Sequence, residues 1–90
     1  MSYCVLYHPE VKNDLAILPR NLKERIRKAI EQRLYVEPTY FGDPLRKSLQ
    51  GYRKLRVGDY RIIYRVDKTQ VIILKIGHRK EVYEKIFRRL

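Results

Sequence analysis

A tyrosine and an arginine four residues apart, set directly behind a glycine–histidine pair, are the first residues in this sequence whose types and spacing suggest chemistry. In Gly77-His78-Arg79-Lys80-Glu81-Val82-Tyr83, Arg79 and Tyr83 share one face if the segment is helical. Positive neighbours favour phenolate and lower its pKa, so Tyr83 is a candidate base. His78, as an imidazole, is the alternative base. The plainer reading puts Tyr83 in an aromatic stripe with Phe87 that packs on a sheet, and has Glu81 and Glu84 pairing with Lys85 and Arg88. Upstream, Lys54, Arg56, Arg61, Arg65 and Lys75 fall on one side of an alternating pattern. The sequence holds no P-loop, Gly-rich dinucleotide turn or metal-ligand spacing, and no cofactor is expected. Metal-free phosphodiester cleavage is the reaction that suits such a set. In RNA, a base takes the proton of the attacking 2′-hydroxyl, cations stabilise the pentacovalent phosphate, and an acid protonates the leaving oxygen.

These residues need a sheet and a closing helix to position them. Tyr3 to Tyr7 alternates and reads as a first strand. Pro9 opens a helical stretch with Val11, Leu15 and Leu18 at helical spacing, and Pro19 ends it. Asn21 suits the N-cap of a longer second helix, in which Leu22, Ile26, Ala29, Ile30 and Leu34 form one apolar stripe. Pro38, Gly42-Asp43 and Pro44 mark a loop. After Gly51 the period becomes two, and Gly58-Asp59 reads as a tight turn between two strands. A two-residue turn there pairs Val57 with Tyr60, sets Arg56 across from Arg61, and faces Lys54 toward Ile63. A three-residue loop, Asp67-Lys68-Thr69, leads to a third run in which Ile72, Leu74 and Ile76 share a face, and Lys75 falls beside Arg61. Gly77 ends that strand, and a final helix runs from about Arg79 to Leu90. The expected fold is a two-layer α+β domain over residues 1–90, in the order β-α-α-β-β-β-α. A helical hairpin packs on one face of a twisted, mainly antiparallel sheet whose other face stays largely open.

Twenty-one Lys and Arg stand against 10 Asp and Glu, for a net charge of +11. Nucleic acid, an anionic membrane and an acidic protein are the partners that could explain the excess. Heat adaptation raises bases and acids together, so it does not account for the imbalance. Like charges facing one another on a sheet are destabilising, and an anion bound across several cations offsets that. Phosphates spaced along a strand fit best. No apolar run approaches the roughly 20 residues that span a bilayer. The N-terminus carries no secretory signal, and the single Cys4 offers neither an internal disulfide nor a metal cluster. A cytoplasmic setting is the expectation.

The run Leu55-Arg56-Val57-Gly58-Asp59-Tyr60-Arg61-Ile62-Ile63-Tyr64 resembles the signature hairpin of the RelE/ParE superfamily of type II toxin–antitoxin toxins. The segment from Gly77 to Tyr83 resembles that superfamily's closing motif, and the helical hairpin and total length agree. The resemblance implies a RelE-like fold and, closer to the RelE branch, a metal-independent endoribonuclease that cuts mRNA in the ribosomal A site. ParE-like inhibition of DNA gyrase without nuclease activity, and a non-catalytic RNA-binding member, are the alternatives. By resemblance, Arg61 engages the scissile phosphate, Arg79 stabilises the transition state or assists the leaving group, Tyr83 is the general base, and Lys54 neutralises developing charge. Arg56 takes a substrate-binding role, with Arg53, Lys75, His78 and Arg65 completing the RNA-binding set. Where the family has a second lysine two positions before the first, this chain has Tyr52, and a local bulge would be needed to bring the adjacent Arg53 onto the active face. The implied partner is an acidic, partly disordered cognate antitoxin. Ile63 and Ile73 on the basic face suit its docking, or packing by the C-terminal helix.

Overall fold

A computed structural model describes residues 3–90; Met1 and Ser2, and the reading that they lead straight into the first strand, lie outside the described residues. Five strands form one sheet: β1 (Cys4–Tyr7), β2 (Asp43–Pro44), β3 (Arg53–Val57), β4 (Tyr60–Asp67) and β5 (Gln70–His78), in the spatial order β1-β5-β4-β3-β2. The β3-β4-β5 meander is antiparallel, and β1 adds to β5 in parallel. Helices α1 (Val11–Ala16) and α2 (Arg20–Ala29) connect β1 to the rest, and α2 continues into a π-helical turn, Ile30–Leu34. The apolar stripe read from the sequence is the packing face: Ile26, Ala29, Ile30 and Leu34 are buried, with Leu22 beside them. They meet Leu55, Val57, Ile62, Tyr64, Val71, Ile73 and Ile76 in the main core. Asn21 is not the N-cap. The cap is Pro19, whose extended backbone (ψ 154°) leaves its carbonyl to accept from Leu22 and Lys23, and Asn21 lies in the first turn.

The sheet departs from expectation at β5. The connection from β4 is the two-residue Lys68-Thr69, with Lys68 at φ +57°, so the face assignment of β5 shifts by one residue. A bulge opposite Ile63 and Tyr64 then shifts it again: Tyr64 pairs with Ile73, while Ile63 pairs with Lys75 and Ile62 with Ile76. Val71, Ile73 and Ile76 consequently face the helices, and Leu74 faces away with Ile63. Ile73 is therefore main-core, not a docking residue on the basic face. Arg61 pairs with Gly77, not with Lys75.

The second face is not open. Ile63, Leu74, Val82 and Ile86 are all buried there in a smaller core, flanked by Leu45, Leu49 and Tyr52. The chain over it is a series of turns followed by a short 3₁₀ helix, Ile86–Arg89, rather than one long helix. Lys75 Nζ donates to the Glu84 carbonyl, which an α-helix would offer to Arg88, and Lys85 sits in the left-handed region at φ +56°. Tertiary contacts thus override the helical spacing of Val82 and Ile86. The segment is fastened by Arg89, whose guanidinium donates to both Asp14 carboxylate oxygens (2.7 and 2.8 Å) and to the Leu74 carbonyl (3.1 Å). Asp14 also accepts from the Ile76 N–H at 3.0 Å. The pair thereby satisfies the edge of β5 beyond the point where β1 leaves it.

Candidate active site

The β3–β4 hairpin places the cations. Gly58 has φ +60°, which the first position of a two-residue type II′ loop requires, and the register follows from that loop: Val57–Tyr60, Arg56–Arg61, Leu55–Ile62, Lys54–Ile63. Lys54, Arg56 and Arg61 therefore stand on one face, opposite the helices. Arg61 is half-buried, and its Nη1 donates to the Gly58 carbonyl (3.0 Å) and the Tyr60 carbonyl (2.9 Å). Those bonds draw the guanidinium onto the turn and fix it there, which eases the juxtaposition with the exposed Arg56. Lys54 is half-buried, with Asp43 as its register partner on β2.

The closing motif is tied to the same turn. Arg79 N–H donates to the Asp59 carbonyl at 2.8 Å, and Arg79 Nε lies 3.7 Å from the Asp59 carboxylate. Val82 is fully buried beneath the segment, which folds back to van der Waals distance over Gly77 at the end of β5. Tyr83, between the buried Val82 and Ile86, keeps 39% of its surface exposed. Burial pushes its phenol above the ordinary tyrosine range, and the nearby Arg61 charge draws it only part of the way back. The cations were expected to lower that pKa; desolvation wins instead. Tyr83 is thus a phenol at neutral pH, half-wet and within the field of Arg61.

The remaining sequence candidates are dispersed. His78 pairs with Tyr60 across the strands and meets its ring edge-on (centroids 5.5 Å apart), on the face that the helices cover. Its Nδ1 accepts from the Lys80 N–H at 3.1 Å. Lys75 lies under the C-terminal segment, bound to the Glu84 carbonyl; burial first, and Arg89 second, lower its pKa. Arg65 lies four residues along β4 from Arg61, roughly 13 Å away at strand rise, beside Asp67 at 3.8 Å. Arg53 pairs with Tyr64 in an unbroken β3–β4 register, so no bulge turns it over. Its Nη2 donates to the Thr39 and Gly42 carbonyls (both 2.9 Å), and the buried Tyr64 hydroxyl meets the Pro38 and Phe41 carbonyls (2.8 and 2.6 Å). Arg53 staples the loop before β2 and does not join the other cations.

The sequence reading missed Asp59 as the anchor of Arg79, although Gly58-Asp59 was identified as the turn. It also missed Asp14 and Arg89, whose pairing leaves no local signal. A concavity of about 720 Å³ is lined by Asp14, Tyr60, His78 and Arg89 along the β5 edge and includes none of Arg61, Arg79 or Tyr83. The candidate site is an exposed surface, shaped for a large substrate rather than an enclosed small molecule.

Comparison with known proteins agrees with this architecture. Residues 5–83 match the family model described as ParE toxin of type II toxin-antitoxin system, parDE. Toxin RelG of Mycobacterium tuberculosis is 34% identical over 87 residues, spanning 94% of this chain and all of that protein. The toxin–antitoxin complex RelBE2 of the same organism superposes with a TM-score of 0.82 at 34% identity, covering 88% of this chain and 100% of the matched one. The archaeal RelE–RelB complex of Pyrococcus horikoshii gives a TM-score of 0.70 at 29% identity over 91% of this chain and 100% of that chain. With the hairpin and the closing motif both inside the matched region, the chain belongs to the RelE/ParE superfamily and is a toxin of a type II toxin–antitoxin system.

Proposed function

We propose that this toxin is a ribosome-dependent mRNA endoribonuclease. The observation that carries the reading is the convergence of Arg61, held on the hairpin turn, with Tyr83 of the closing motif, while Lys54 and Arg56 share Arg61's face. The 2′-oxygen attacks phosphorus as Tyr83, in its phenolate form, takes the 2′ proton. Arg61 and Lys54 stabilise the charge that builds on the equatorial phosphate oxygens. The bond to the 5′-oxygen breaks, Arg79 stabilises that oxygen's charge, and solvent water gives it a proton, leaving a cyclic phosphate and a 5′-hydroxyl while Tyr83 holds the 2′ proton. No step calls on a metal. A flat, basic site holds RNA weakly by itself, and the ribosome supplies the ordering that makes attack frequent. The cytoplasm, where translation runs, is the compartment this requires. The names of the RelG and RelBE2 relatives support this branch, and the two complexes support a cognate antitoxin as partner. The test is induction of the toxin followed by mapping of mRNA ends. Cuts within translated codons are expected for wild type and not for Arg61→Ala.

The ParE name of the matching family model favours a second reading, in which the chain inhibits DNA gyrase without cutting RNA. A supercoiling assay separates the two: inhibition by toxin whose expression leaves mRNA intact establishes the second and removes the first.

A further inference from the structure

Helix α2 and the π-helical turn that continues it carry Arg25, Lys28 and Arg33 on one flank, which the hairpin site does not use, and the acids Glu24 and Glu31 are turned away from them. Glu24 and Glu31 both pair with Arg27, Glu31 at 2.8 Å. Arg25, Lys28 and Arg33 are left on the other flank, where they line a shallow cleft of about 240 Å³ with Gln32, Arg56 and Gly58. No acidic side chain lines it. The cleft exists because β2 pairs only with Arg53 and Lys54, so the edge of β3 from Leu55 to Val57 is uncovered beside α2. Arg25 reaches across the gap: its guanidinium nitrogens lie 3.3 and 3.4 Å from where a Cβ on Gly58 would stand. Ala29 and Val57 form the floor, and both are buried to the same 7% exposure, so the surface the cleft offers is mainly polar.

We propose that this cleft is a second binding site for a phosphodiester backbone, and that it receives the RNA strand running past Arg61. The inference rests on the nuclease reading for the identity of the strand. Arg56 connects the two places, because it lines the cleft and is also the register partner of Arg61. A backbone crossing the β3 edge meets Arg25 and Lys28, then Arg56, then Arg61. Cations without paired acids release counterions when they neutralise phosphates, which favours binding. An acidic peptide is the competing occupant; the cleft is small, mainly polar and lined by cations, and it suits a peptide less well than a chain of phosphates.

The experiment measures binding of purified full-length toxin to a single-stranded RNA oligonucleotide over a series of salt concentrations. Wild type is compared with Arg25→Gln/Lys28→Gln and with the charge reversal Arg25→Glu/Lys28→Glu. Both altered positions are exposed side chains, and an unchanged thermal midpoint verifies the fold. The log–log salt slope is expected to fall by about 1.4 in the neutral variant, at about 0.7 per lost phosphate contact, and further in the reversal. An unchanged slope overturns the proposal, as does a wild type with no salt-dependent RNA binding. An unchanged slope with weakened antitoxin binding also overturns it and assigns the cleft to protein. Binding is read separately from cleavage, so a toxin that binds through this cleft without cutting defeats the nuclease reading and not this one.

Discussion

Asp14 and Arg89, separated by 75 positions, form a two-pronged ion pair that also occupies the free edge of β5. Their side chains are only 10% and 11% exposed. The pair joins the first helix to the last turn of the chain and holds down the segment that carries Tyr83.

Removing one member leaves a nearly buried charge alone. Arg89→Ala strands the Asp14 carboxylate, and Asp14→Ala strands both Arg89 and the Ile76 N–H. Each single variant is expected to lose about 3 kcal/mol, a large share of the roughly 5–13 kcal/mol available to a chain of this length. The double variant should lose less than the sum of the two. Urea unfolding gives all three values, and strictly additive losses would show that the two residues do not act together.

Arg61→Lys retains a charge but not the fork that donates to the Gly58 and Tyr60 carbonyls. A loss of about 10²- to 10³-fold in cleavage rate is expected, as for removal of one preorganised donor to a developing charge. Stability should change little, since the hairpin register depends on the turn and the apolar pairs. A lysine variant that cuts at the wild-type rate would remove the fork from the mechanism.

The raised pKa of Tyr83 fixes the direction of its pH dependence. As a base it works in its phenolate form, whose population grows tenfold per pH unit until the pKa is passed. Cleavage should therefore accelerate from neutral pH upward and show no plateau below about pH 10. Tyr83→Phe should lose about 10²- to 10⁴-fold and flatten the profile. A wild-type rate that falls as pH rises would instead identify the phenol as an acid.

Gly42 stands at φ +82°, and a Cβ there would overlap the Tyr64 hydroxyl and approach the Lys54 carbonyl to 2.9 Å. Gly42→Ala is expected to destabilise by about 2–4 kcal/mol, from left-handed strain together with displacement of the loop that Arg53 and Tyr64 hold. Thermal unfolding measures it; a shift of a degree or less would mean the loop moves aside freely.

The hairpin was legible because a two-residue glycine loop leaves one register. Each pair read from Gly58-Asp59, Arg56–Arg61 and Lys54–Ile63 included, is the pair observed. The apolar stripe of α2 was legible for the similar reason that burial repeats with the helical turn. The β5 register was hidden by two offsets of one residue, the shorter Lys68-Thr69 loop and the bulge opposite Ile63 and Tyr64, neither of which has a residue signature here. The C-terminal segment misled because Val82 and Ile86 have helical spacing, whereas a lysine from another strand takes the Glu84 carbonyl. Arg53 could not be placed because its partners, Thr39 and Gly42, come from a loop whose path the sequence leaves open.

The parallel pairing of β1 with β5 also sets an order of events during synthesis. Cys4 to Tyr7 leave the ribosome first, yet their partners are Gln70 to Ile73. The apolar stripe of α2 likewise precedes every one of the core strand residues it covers, from Leu55 to Ile76. The nascent chain therefore carries an uncovered helical hairpin until most of its length has emerged, and the sheet closes late and around distant contacts, which slows folding. A toxin built in this order reaches its working shape only once β5, from Gln70 to His78, has been made.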